Sequence, residues 1–319
     1  MKLKKFIVGF VAVAVVIVLF WLMGGSELLC KIGFGDKKKE ADRVDIENQA
    51  DGEDSTEAPR EEDIRYVTKP RNENLKSEAV YNGMSTAKLA WWFKRDANHG
   101  PSDCDHTLDI GKYGAYYLDT RYAGNTDEQS EKVIYLTMDC GYDNGLTEGM
   151  VDVLTRCEVP CCFFVTQTYI RDNIDLVKKM KQNGFQVGNH TISHPELYNM
   201  SYEDIKSELD GCYNYMKEAT GYDMDPYFRP PCGEYSERVL ALAQDLGYKT
   251  IFWSMAYYDY DVNKQPGTDY VIEHFNKYHH NGAIILMHNV STSNAEALET
   301  VINNLKAAGY RFASLNELE

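Results

Sequence analysis

From residue 132 onward the chain alternates short apolar runs with amphipathic stretches so regularly that few folds can accept it. Strand-like runs lie at 133–138, 161–166, 186–188, 227–228, 250–255, 283–287 and 311–315. Between them, 146–157, 171–183, 202–220, 236–246, 270–278 and 295–308 carry apolar residues at helical spacing. Gly184, Gly221, Gly247 and Gly309 follow four of these stretches, where a left-handed helix cap is wanted. Seven strands separated by six helices predict an α/β fold of parallel strands joined by right-handed crossovers.

In a barrel of this kind the carboxyl ends of the strands share one face, and the active site is built there. Asp139, His190, Arg229 and His288 each stand at or just past the end of a different run, and Asp259 lies a few residues past another. His190-Thr-Ile-Ser-His194 places two imidazoles where they can hold Zn²⁺ together. Pro195 disfavours helical geometry at His194, so the pair spans a single turn or loop. Asp139 is a candidate base for a metal-bound water. Cys140 reads two ways. On a regular strand it points away from Asp139 and fills space, whereas a sharp turn at Gly141 would bring its thiolate inward as a third zinc ligand.

Arg229 heads Arg-Pro-Pro-Cys-Gly, a rigid loop that suits a bidentate partner such as Asp139. The backbone N–H of Cys232, the first after the prolines, can serve an oxyanion. Leu286 and His288 alternate on one strand and share a face, an apolar wall below a general acid. Asp259 can orient and charge that imidazole. His274, His279 and His280 read as ordinary surface residues. A base, an acid, a metal and an oxyanion donor are what attack of water on an amide or ester carbonyl requires.

The amino end differs from this domain. Lys2, Lys4 and Lys5 precede an uncharged apolar run of eighteen residues, 6–23, with no small-residue cleavage site after it. It reads as a transmembrane anchor within residues 1–34, with the domain extracytoplasmic, or secreted if the segment is cleaved. Residues 35–73 form an acidic linker with almost no aliphatic side chains, and disorder is expected. Residues 74–130 read as an ordered lead-in and 131–319 as the catalytic domain. The net charge of -16 argues against a nucleic acid partner. The eight cysteines have no CxxC spacing and read mostly as small buried hydrophobes, with a bridge at Cys104 left open.

Taken in order, these motifs resemble those of the NodB-type polysaccharide deacetylases, carbohydrate esterase family 4. The likeness covers about 132–318. Thr137-Met-Asp-Cys-Gly141 matches a family motif usually written Thr-Phe-Asp-Asp-Gly. His190 to His194, Arg229 to Gly233, Asp259 and Leu286-Met-His288 match the others, with Tyr260 where tryptophan is common. The resemblance implies a distorted, open (β/α)7 barrel. It makes Asp139 the base tethered by Arg229, and His288 the acid supported by Asp259. His190 and His194 become ligands of a divalent metal, with zinc the expected ion, and Leu286 part of an acetyl pocket. Tyr260 would contact substrate. Cys140 stands where the family has its third ligand, an aspartate.

Gly141-Tyr-Asp-Asn-Gly145, 160–167 and the run from His288 to Leu298 are similar to the delta-lactam-biosynthetic de-N-acetylases of spore-forming bacteria. This implies a peptidoglycan glycan strand as partner, with N-acetylmuramic acid lacking its peptide as the deacetylated unit. The alternatives are deacetylation of N-acetylglucosamine in peptidoglycan or a chitin-like glycan, an inactive glycan-binding module, and a membrane-anchored scaffold. No protein partner of the enzyme is inferred.

Overall fold

The structure, a computed structural model, describes residues 75–104, 107–124 and 130–318. The anchor and linker expected in 1–34 and 35–73 lie outside the described residues. Among the described residues no helix is long and apolar enough to cross a membrane.

In chain order the elements begin with α1 (Glu78–Asn82), β1 (Leu89–Ala90), β2 (Ala115–Tyr116), β3 (Lys132–Cys140), α2 (Thr147–Arg156) and β4 (Cys161–Val165). Next come α3 (Gln167–Asp172), α4 (Ile174–Gln182), β5 (Gln186–Asn189), α5 (Tyr202–Thr220), β6 (Tyr227–Phe228) and β7 (Glu234–Tyr235). The last are α6 (Glu237–Asp245), β8 (Lys249–Ile251), α7 (Thr268–Tyr278), β9 (Ala283–His288), α8 (Thr292–Ala307) and β10 (Tyr310–Ala313). Gly184, Gly221, Gly247 and Gly309 all take positive φ after their helices. The helix expected over 171–183 is instead two. Asn173 leaves helical geometry at φ -139, ψ 41 and donates its side-chain amide to the Tyr169 carbonyl.

β3 is the spine. Its nine residues are buried from Val133 to Cys140, as expected of a strand covered on both faces. Ile134, Leu136, Met138 and Cys140 pack outward on Leu154 of α2, Val177 of α4 and Leu298 of α8. Val133 and Tyr135 point the other way, against Cys162, Phe164, Tyr227, Ile251, Ile284 and Leu315. β4, β5, β6 and β8 continue the parallel sheet from one edge of β3, and β9 runs along its other edge. β10 does not extend the series. It pairs with Lys132–Tyr135, the half of that edge which β4 leaves uncovered.

The sheet curls until β8 and β9 approach each other, and only sparse contacts cross the remaining seam. Met255, past the end of β8, bridges Ile285 in parallel, and the Leu286 N–H donates to its carbonyl at 2.9 Å. At the opposite end the lead-in crosses the same seam: β2 pairs with β8, and Leu118 then bridges Ala283 of β9. β1 forms a small antiparallel pair with β7, and the Trp91 ring stacks on Phe252 at 4.5 Å.

Candidate active site

Asp139 and His288 are direct partners in the β3–β9 ladder. Adjacent strands lie about 4.8 Å apart, so a carboxylate and an imidazole stand side by side at the carboxyl end of the sheet. Asp139 is held from across the curled sheet. Arg229, just past β6, is fully buried and donates Nη1 to Asp139 Oδ1 at 2.7 Å. Its Nη2 reaches Thr137 Oγ1 at 2.8 Å, and its Nε the Ile251 carbonyl at 2.9 Å. The expected bidentate pair is therefore a single bond, because Thr137, two residues earlier on the same face of β3, takes the second nitrogen. Oδ2 of Asp139 remains directed to the His190 side, 3.7 Å from Nε2.

The guanidinium lies over the Phe164 ring at 4.2 Å. A side chain at Gly188 would meet that ring at 2.8 Å, so glycine there lets the aromatic floor slide under the arginine. Burial alone would raise the Asp139 pKa, but Arg229, with His190 and His288, holds it below the ordinary carboxylate value.

His190 and His194 sit in an irregular loop after β5. Asn189 Oδ1 accepts the Thr191 N–H, Glu208 accepts those of Ile192 and Ser193, and Thr191 Oγ1 accepts that of His194. Those bonds hold Thr191 and His194 in left-handed conformations, with φ of 73 and 59. The imidazoles meet edge to face at 4.8 Å. His190 Nδ1 bonds the Arg229 carbonyl at 2.8 Å, which makes Nδ1 the protonated nitrogen and leaves Nε2 facing Asp139. Burial pushes the His194 pKa down to about 3, so that ring is neutral, as a metal ligand must be.

Cys140 does not join them. β3 continues regularly through it, so its side chain lies on the outer face in the core of β3 and the helices, with no exposed surface. Sγ approaches the Met138 carbonyl at 3.9 Å, and burial pushes the thiol pKa well up. This corrects the reading of Cys140 as a zinc ligand. Among the described residues no group of three His, Cys, Asp or Glu side chains is placed to hold a metal. Two imidazoles do not complete a three-ligand protein site, and the family's metal does not fit the residues present in that form.

His288 is fixed by Asp259. Nδ1 donates to Oδ1 at 2.7 Å, and the His288 backbone N–H to Oδ2 at 2.9 Å. Asp259 is fully buried, whereas a quarter of the His288 side chain remains exposed. Burial would lower the His288 pKa, but the charge and hydrogen bond of Asp259 raise it above 6.5. Leu286 is buried on the same strand two residues earlier, and Tyr260 meets the imidazole edge-on at 5.5 Å. Cys232 lies in the turn after Arg229, with φ 57.

Sequence reasoning overlooked Thr137, Phe164 and Asn294, although period-two alternation already puts Thr137 beside Asp139 and Phe164 on an inward position of β4. It also placed His274 and His280 on the surface. Both are buried: His280 Nε2 bonds Ser254 Oγ at 2.9 Å, and the His274 ring lies 4.8 Å from Tyr257. Cys104 is not in a disulfide, and its thiol pairs with the Tyr117 hydroxyl.

Residues 126–251 match the model of the family described as polysaccharide deacetylase. The chain is 43% identical over 244 residues to the peptidoglycan-N-acetylmuramic acid deacetylase PdaA of Bacillus subtilis, covering 76% of this chain and 88% of that protein. The solved structure of that family 4 carbohydrate esterase superposes with a TM-score of 0.68 at 41% identity, covering 73% of this chain and 97% of that one. A family 4 pseudoenzyme from Bacillus anthracis superposes with a TM-score of 0.55 at 28% identity, covering 59% of this chain and 66% of that one. The chain belongs to the polysaccharide deacetylase family.

Proposed function

We propose that the protein is a hydrolase that removes the acetyl group from N-acetylmuramic acid units of peptidoglycan whose peptide has been cut away. This step precedes muramic delta-lactam formation in the spore cortex. The observation that carries the reading is the pairing of Asp139 and His288 on neighbouring strands, each anchored by a buried partner of opposite charge. The 43% identity to a muramic acid deacetylase supports the choice of sugar.

In this reading Asp139 Oδ2 accepts a proton from the water that attacks the acetamide carbonyl. The tetrahedral oxyanion is met by the Cys232 N–H, and His288 Nε2 protonates the departing amine. A base kept ionised by Arg229 and an acid kept protonated by Asp259 are opposite settings of two titratable groups in one cavity. Leu286 receives the acetyl methyl, and Tyr260 faces the sugar. A metal supplies Lewis-acid polarisation in the family at large. Here His190 and His194 lack a third protein ligand among the described residues, and the proton transfers belong to Asp139 and His288. The domain acts outside the membrane, anchored by residues 1–34.

The test is acetate release by the full chain from peptide-stripped and from intact peptidoglycan, with chitin oligomers alongside. Release confined to the stripped glycan is expected. Equal release from both polymers, or release from chitin alone, would replace the proposed substrate. The incomplete ligand set also favours a second reading, an inactive glycan-binding module, and one similar protein, from Bacillus anthracis, is described as a pseudoenzyme. Sugar binding with no acetate released at any metal concentration would establish it.

A further inference from the structure

Asn294 is fully buried in the first turn of α8, and its amide is engaged on the support of the imidazole. Nδ2 donates to Asp259 Oδ2 at 2.6 Å and to the His288 carbonyl at 3.1 Å. Tyr257 donates its hydroxyl to Asn294 Oδ1. The amide therefore has one orientation, because a flipped asparagine would set its oxygen against a carboxylate oxygen. The backbone of Asn294 is fixed as well, its N–H donating to Ser291 Oγ at 3.1 Å. Ser291 donates to Gln265 Oε1, and Gln265 Nε2 donates to the Asp259 carbonyl at 3.0 Å.

Asp259 Oδ2 thus receives two donors, the His288 N–H and the Asn294 amide, while Oδ1 faces the imidazole. One bond on Oδ2 fixes a point, and the second fixes the plane of the carboxylate. With that plane set, Oδ1 holds the Nδ1–H tautomer and Nε2 is left for the substrate. We propose that Asn294 is a positioning residue for the reaction, acting through Asp259 to fix the plane and tautomer of the His288 imidazole, with Tyr257 setting the direction of its amide. This rests on the reading of His288 as the acid.

The experiment compares the full chain with Asn294→Leu, Tyr257→Phe and His288→Ala on peptide-stripped peptidoglycan. It measures kcat, KM, melting temperature and the downfield proton resonance of the His288 Nδ1–H. Asn294→Leu is expected to lower kcat about 10–100-fold, the range for residues that orient a functional histidine from behind. KM should stay within about 2-fold and the downfield resonance should disappear or move. Tyr257→Phe should do the same to a smaller degree, near the lower end of that range. Unchanged kcat in Asn294→Leu overturns the proposal, and so does a loss of rate with the downfield resonance intact, which would assign the loss to folding. If Asn294→Leu does not fold, unchanged kcat and resonance in Tyr257→Phe overturn it. His288→Ala separates the two claims, because full activity there removes the acid itself whatever Asn294 does.

Discussion

The two sides of the site hold their reactive groups by opposite arrangements. On the β6 side the guanidinium of Arg229 is the anchor, and the Asp139 carboxylate is the group presented to the cavity. On the β9 side the carboxylate Asp259 is buried as the anchor, and the imidazole is presented. Arg229 is tied down by its own bonds to Ile251, Thr137 and Phe252, and Asp259 by those from His288 and Asn294. Each anchor is held by several further bonds, so it keeps its place when the group it presents exchanges a proton. The difference lies in what a lost anchor leaves behind: an uncompensated buried carboxylate on one side, a histidine that can simply become neutral on the other.

That asymmetry is open to direct attack. The largest effect is expected at Arg229→Leu, which should lower stability by about 3–5 kcal/mol because it strands the Asp139 charge. A denaturation midpoint unchanged from the parent would dissolve the contrast. Asp139→Asn should keep the fold and lose about 10²–10⁴-fold in kcat, the usual contribution of a positioned base. Full activity in that variant would remove Asp139 from the mechanism.

Asp259→Asn should be milder for folding and should act on the pH profile. The alkaline limb of kcat/KM is expected above 6.5 in the parent, because Asp259 raises the His288 pKa and the acid is lost as pH rises through that value. Asp139, Arg229, His190, His194 and Tyr260 also face or influence the ring. With Asp259 neutralised the limb should move to lower pH, and a limb that stays put would mean another group titrates. The same raised pKa adds stability that is fully present below about 6.5 and fades as pH climbs through the folded value. The smallest effect belongs to Cys140→Ala. Metal content and turnover should both stay within about 2-fold, with a stability loss of about 1 kcal/mol, since only core packing changes. A drop in bound metal would return the thiol to the site.

Much of this was legible in the sequence because strand tips are easy to locate. An apolar run that stops at a polar residue marks a strand end, and the structure places Asp139, Arg229 and His288 at or next to the carboxyl ends of β3, β6 and β9. Cys140 was undecidable there, because whether β3 stops at Asp139 or continues one residue depends on Val165 of β4 being its partner, a contact twenty-five positions away. The position of β10 was hidden for a related reason: it depends on how much of one β3 edge β4 leaves uncovered. His274 and His280 misled because burial of a lone histidine depends on tertiary neighbours such as Ser254 and Tyr257. Asn294 lies one residue before the helical stretch read at 295–308 and carried no signal of its own. Its use became visible only once Asp259 was seen packed against the α8 amino terminus.

The lead-in that crosses the β8–β9 seam has a consequence for how the molecule is made. Leu118 must wait for Ala283, and β2 for β8, so a segment emerging early from the ribosome finds its partners only after more than a hundred further residues. Until then its Trp91 and Phe93 are apolar surface without a place to go, and the curled sheet has two open edges. Pulse-labelled nascent chains halted before residue 283 should leave residues 89–118 open to protease. Chains released after it should close as one cooperative unit.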